Sequence, residues 1–318
     1  MGNVFQACGF GRSGNPLIEA IKLGDLNQVV LLLEEMHNSS HAVLDEEGNS
    51  ITYKTPDQEH MTPLFHAAMR QMTDIMSVLI QAGADPDSRM PGGRNKGVPI
   101  LFLCIEHNYV ESVQTLLDSN ADPNITFKNW SPLNHFWRVQ KLKNKKYGTE
   151  IAEMLLKAGA DPNNIAPNML FPLYAAVDQL QDTEFAKVLL ANGANSEQRY
   201  KDVTPLFRAV LTNNIDMLDT LVEGGANVNV AGPPTKPIYG GNCLFNECVH
   251  GNINMVRALI KYGIDLNAPH PQTAKDHIGR SPIESTLIGP IPHDVAYELI
   301  ILLKKNGAKV SSVALELP

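Results

Sequence analysis

The chain has 318 residues, 43% hydrophobic and 19% charged, with a formal net charge of −8 at pH 7. That length allows about two domains of ~150 residues each, and the acidic balance argues against a general nucleic-acid binder, which needs a basic surface to displace counterions. No apolar run approaches the ~18 residues of a membrane span, and no charged-then-apolar leader opens the chain.

Residues 1–14 are glycine-rich and predict a flexible tail; Met1-Gly2 with Cys8 is similar to a lipidation start, but Gln6 stands where that motif prefers Ser or Thr. Residues 15–36 predict a helix pair acting as an N-terminal cap, with Leu17, Ile18, Ala20 and Ile21 before Gly24, then Val29 to Leu33. The insertion at 37–60 is acidic, with Asp45, Glu46, Glu47, Asp57 and Glu59 against Lys54. Its Ala42 to Tyr53 stretch predicts a β-hairpin.

From residue 61 onward two anchors alternate. One opens a helix: Thr62-Pro63-Leu64, Pro99-Ile100-Leu101, Ser131-Pro132-Leu133, Phe171-Pro172-Leu173, Thr204-Pro205-Leu206, Asn242-Cys243-Leu244 and Ser281-Pro282-Ile283. The other closes one, from Gly83-Ala84-Asp85 through Asn120-Ala121-Asp122, Gly159-Ala160-Asp161, Gly193-Ala194-Asn195, Gly225-Ala226-Asn227 and Gly263-Ile264-Asp265 to Gly307-Ala308-Lys309. Pro63 and Gly83, Ile100 and Asn120, Pro205 and Gly225, and Cys243 and Gly263 are each 20 positions apart, and a fixed internal period marks stacked repeats that share one continuous core.

Within residues 204–229, Thr204 caps a first helix and Pro205 fits its first turn. Leu206, Ala209 and Val210 line one face, Asn213-Asn214 interrupts, and Ile215, Leu218, Leu221 and Val222 form a second stripe. Gly225 ends that helix in a left-handed conformation, and Asn120 obeys the same rule. The predicted units are 61–96, 97–128, 129–168, 169–201, 202–240 and 241–278, closed by a C-terminal cap at 279–310 and a tail at 311–318. Residues 15–318 thus read as one domain, expected to be monomeric.

These motifs resemble the ankyrin repeat over roughly residues 15–310. The family's Thr-Pro-Leu-His opening stands here as Thr62-Pro63-Leu64-Phe65 and Thr204-Pro205-Leu206-Phe207, and its Gly-Ala-Asp-x-Asn closing as Gly159-Ala160-Asp161-Pro162-Asn163 and Gly225-Ala226-Asn227-Val228-Asn229. The resemblance implies an all-α solenoid of helix pairs with finger loops, some able to form β-hairpins. It also implies a protein-binding role through the concave face and the fingers. Single-domain ankyrin proteins with irregular, inserted repeats further resemble secreted effectors of intracellular bacteria, so a host protein in a host cytosol is the narrower expectation.

Departures from the period show where more is asked of the chain. In the fourth unit 27 positions separate Pro132 from Gly159, with Lys141, Lys143, Lys145 and Lys146 in the excess; Phe136 and Trp137 take slots held by small residues elsewhere. That bulk predicts a splayed stack or an outward ring, and the least regular unit. Four cysteines give no disulfide framework, since Cys104, Cys243 and Cys248 fall inside helical units beyond the tail's Cys8. They suggest a reducing, cytoplasmic setting with no metal or cofactor.

By equivalence to the family's groove positions, the candidate partner-binding residues on the helices are His66, Met69, Arg70, Glu106, His107, His135, Arg138, Asp178, Arg208, Thr212 and His250. Those on the fingers are Phe127, Lys128, Trp130, Arg199, Tyr200 and Tyr239; Arg, Tyr and Trp are the types most enriched at binding hot spots. Trp130 is the leading candidate, because an aromatic pair at a finger tip has no core to fill. No nucleophile–base pairing is legible, so no catalytic residue is expected. The alternatives are a membrane-associated adaptor using Gly2, Cys8 and the lysines, or an enzyme with a pocket beside His135 and Trp137.

Overall fold

A computed structural model describes residues 16–38, 61–144, 148–232, 241–269, 280–287 and 289–310. The tails, the hairpin expected within 37–60, Lys145 and Lys146, and Tyr239 lie outside these. The chain falls into two compact units, residues 1–167 and 168–318.

The first unit holds α1 (Pro16–Leu23), α2 (Leu26–Asn38), α3 (Pro63–Met69), α4 (Thr73–Gln81), α5 (Ile100–His107), α6 (Val110–Asp118), α7 (Pro132–Lys143) and α8 (Glu150–Lys157). Each odd-numbered helix opens a pair and the next closes it. First helices stack on first helices, α1 on α3, α3 on α5 and α5 on α7. Second helices do the same from α2 to α8. The second unit holds α9 (Pro172–Ala175), which runs into a π-helical turn at Ala176–Leu180, then α10 (Thr183–Ala191), α11 (Pro205–Leu211), α12 (Ile215–Glu223), α13 (Cys243–His250), α14 (Ile253–Lys261), α15 (Pro282–Ser285) and α16 (His293–Lys305).

The opening anchor works as its chemistry requires. The hydroxyls of Thr62, Ser131 and Thr204 accept the N–H of the third helical residue, as does the Asn242 amide oxygen, so one orphan donor of each first helix is satisfied. At Ser281 the Glu284 carboxylate instead accepts the cap residue's own N–H at 2.9 Å. Asn120 stands at φ 65° and Gly225 at φ 90°, the left-handed turn that reverses the chain after each second helix.

The closing anchor is a hydrogen-bonding device. The side-chain oxygen of its third residue accepts the N–H two positions on, from Asp87 to Asp85 and from Asn229 to Asn227. The side chain of that following residue then reaches the next repeat. Asp87 accepts the N–H of Asp122, Asn124 that of Asp161, Asn229 that of Asp265 and Asn267 that of Lys309, at 2.6–2.9 Å. Glu197 does the same for Asn227. Stacking therefore rests on buried apolar stripes plus a ladder of main-chain bonds. In the fingers, β structure among the described residues is limited to isolated bridges such as Phe127 with Trp130 and Tyr200 with Val203.

The expected splaying at Phe136 and Trp137 does not occur. Both rings are buried to within 2% exposure. Sister units carry Phe65, Phe102, Tyr174, Phe207 and Phe245 two residues after the opening Pro slot, whereas this unit carries Asn134. Trp137, one turn further on, lies on the same face and donates its indole N–H to Asn134 Oδ1 at 2.8 Å. Asn134 in turn donates to the carbonyl of Asn164 at 2.9 Å. A further irregularity falls in the following unit, at the π-helical turn.

Candidate functional site

Two side-chain clusters stand out, one in each unit. In the first unit, the finger at 125–130 folds onto its neighbours. Phe127 packs edge-on against Phe102 with centroids 6.1 Å apart, and Trp130 packs against Trp137 at 5.7 Å. The Arg138 guanidinium lies 5.0 Å from the Trp130 ring, and the Lys128 ammonium 5.1 Å from the Phe127 ring. The expectation that these aromatics lack a core is thus corrected: both are half-buried, each against a first-helix ring of its own repeat.

In the second unit, Arg208 on α11 donates through Nε to Asp178 Oδ1, and Tyr174 and Tyr200 meet beside them at 5.0 Å. The Arg208 side chain is 37% exposed and that of Asp178 13%, so the pair presents a braced guanidinium. Burial pushes the Tyr174 hydroxyl up to about 12, with the Asp178 carboxylate adding to the effect. Tyr174 therefore stays a neutral hydrogen-bonding group. Asp178 sits on the π-helical turn, a feature concentrated at functional sites.

A scan of protein families matches this chain to ankyrin repeats, in three copies, over residues 17–127 and 142–232. The chain belongs to the ankyrin-repeat family. It is similar to an ankyrin repeat protein of fowlpox virus, FPV014, with 26% identity over half of this chain and 34% of that one. A Danio rerio protein named as a palmitoyltransferase, ZDHHC13, is 27% identical over 56% of this chain and 26% of its own length. The chain spans only about a third or less of these relatives. The solved ankyrin repeat domain of human ASB11 is 21% identical, covering 79% of this chain and all of that one at a TM-score of 0.49.

In this ankyrin-repeat chain several predicted contact residues serve the framework. His66 is 2% exposed, with Nδ1 3.2 Å from Arg70, and His135 is 9% exposed against Phe102. Neither ring stands in an open groove. Burial, with the Arg138 charge beside it, pushes the His135 imidazole down to about 4. Arg199 donates to the carbonyls of Asp202 at 2.7 Å and of Ala231 in the next finger at 3.2 Å. Arg89, six positions past its own anchor as Arg199 is, reaches the Thr126 carbonyl at 3.0 Å. The two arginines clasp adjacent fingers, and that equivalence was readable from the anchors.

Thr212 turns its hydroxyl back to the Arg208 and Ala209 carbonyls, and His250 donates Nδ1–H to Asn246 O at 2.7 Å. Arg70, His107, Lys128 and His250 are exposed, and Met69, Glu106, Phe127, Trp130, Arg138, Asp178, Tyr200 and Arg208 half-buried. Sequence reasoning missed Tyr174, whose ring completes the second cluster, and Glu247. Glu247 occupies the slot of Ala67 and Ala209, is 4% exposed, and accepts hydrogen bonds from Asn246 and Asn252. Burial raises its carboxyl. The thiols of Cys104 and Cys243 are buried and raised to about 12, and that of Cys248 is raised further, so none of the three is a reactive thiolate. Among the described residues no group of His, Cys, Asp and Glu can hold a metal ion, and no helix is long and apolar enough to cross a membrane.

Proposed function

We propose that this chain is a non-catalytic scaffold that holds a protein partner on the face made by its first helices and fingers. The observation that carries this reading is the Arg208 cluster. A guanidinium is fixed by Asp178 and flanked by two tyrosines, yet more than a third of the arginine side chain faces solvent. Such a group loses little side-chain entropy on binding, and Arg and Tyr are among the residue types enriched at hot spots. The enzyme alternative gains no support at His135, because the ring it would use is enclosed by Phe102 and held neutral. Action on a host protein in a host cytosol is the narrower form of the same proposal.

The test is capture on beads with mass spectrometry, comparing the wild type with Arg208→Glu. Reversal sets a carboxylate beside Asp178, and the affinity for the captured partner should fall by about tenfold or more, as expected for loss of a hot-spot arginine. Because the Asp178 side chain is largely buried, thermal denaturation of the variant runs beside capture, and Arg208→Gln, which adds no like charge, should lose capture with a smaller shift in thermal midpoint. An unaltered capture profile would sink the assignment of this face.

A further inference from the structure

Residues 61–144 of the first unit segregate their charge by helix type. Between residues 61 and 144 the second helices α4 and α6 carry Asp74, Glu111 and Asp118 and no lysine or arginine. All cations of that stretch lie on the first helices, their turns, or the fingers. Glu106 is the one acid on α3, α5 and α7. The remaining carboxylates, Asp85, Asp87 and Asp122, sit at the finger bases and accept main-chain N–H groups.

Five of these cations, Arg94, Lys96, Lys128, Arg138 and Lys141, follow one another along two fingers and α7. Arg94 and Lys96 are exposed at the first finger tip. Gly97, beside them, lies against the Phe127 ring, so that a Cβ there would stand 3.8 Å from it. Lys128 follows over that ring and Arg138 over Trp130, and Lys141 is exposed one turn further along α7. Each ring takes one cation, which holds that charge in place without neutralising it.

We infer that this row of finger and first-helix cations in the first unit is a docking surface for an extended acidic segment of a partner protein. The inference rests on the scaffold reading and adds the chemistry of its partner. Charge complementarity gives the specificity: an acidic segment meets attraction on this row and repulsion from the acidic second helices. A nucleic acid fits less well. The ring faces that bases would stack on are occupied, Trp130 between Trp137 and Arg138, and Phe127 between Phe102 and Lys128.

The experiment is fluorescence anisotropy on the full chain with a labelled peptide of alternating glutamate and tyrosine. Its lysine–tyrosine counterpart, a single-stranded RNA and anionic phosphatidylserine vesicles run beside it. The acidic peptide alone should bind, and binding should weaken as salt rises from about 0.1 M to about 1 M, which shortens the screening length from about 10 Å to about 3 Å. Lys96→Glu/Lys128→Glu should lose affinity by about tenfold. Arg94→Glu/Lys96→Glu, confined to the first finger tip, supplies the same readout should the former variant fold poorly. No acidic-peptide binding, binding unchanged by both reversals, or tighter binding of RNA or vesicles would overturn the inference. If the acidic peptide fails while Arg208→Glu still alters capture, the partner chemistry falls and the scaffold reading stands. If both fail, both readings fall.

Discussion

His135 occupies the first-helix position that Arg208 holds in the second unit, yet its ring lies under the surface against Phe102. Burial lowers its folded-state pKa from 6.5 to about 4, so between those values the unfolded chain binds a proton that the folded chain refuses. Stability from this group is complete above pH 6.5 and is lost as pH falls through 4. Denaturant unfolding across that window should show wild-type stability dropping on acidification by up to about 3 kcal/mol more than in His135→Gln. Parallel pH profiles for the two proteins would contradict the assignment. The position of His135 was legible in the sequence and its burial was not, because Phe102 comes from the preceding repeat. Asn134 and Trp137 teach the same lesson. Spacing placed both on one helix, but the pairing of a missing aromatic with an incoming indole appears only when slots are compared across repeats.

Among the elements, the excess spacing of two units falls in their first helices. The seven-residue excess of the fourth unit lengthens its first helix to α7, 12 residues, against seven in α11. In the fifth unit 21 positions separate Pro172 from Gly193, one more than the common 20, and the extra residue is absorbed as the π-helical turn at Ala176–Leu180. That single-residue excess was visible in the sequence; its consequence, a wider turn bearing Asp178 opposite Arg208, needed three dimensions. Deleting Leu180 restores the common spacing and should relax the turn to α-helix, breaking the Asp178–Arg208 contact. Partner capture should then fall as it does in Arg208→Glu, while the thermal midpoint holds within about 4 °C. Undiminished capture would show that the π-helical turn does not position the site.

For the whole molecule, the anchors account for stacking: capped first helices, left-handed turns, and a main-chain ladder through Asn124, Asn229 and Asn267. These are the most legible parts of the chain, because each rests on a local bond that one residue type makes best. The candidate surface was legible only in outline. Arg199 reads as a contact but ties its finger to the next, and the finger aromatics pack on first-helix rings, while the segregated charge of residues 61–144 emerges once each residue is assigned to a first or second helix. The central claim, a partner held on the first helices and fingers, is tested most directly by hydrogen–deuterium exchange of the chain alone and in its captured complex. Slowed exchange should fall on α7, α11 and the fingers around 125–130 and 199–203. Protection confined to the second helices α4, α6, α10 and α12 would contradict it.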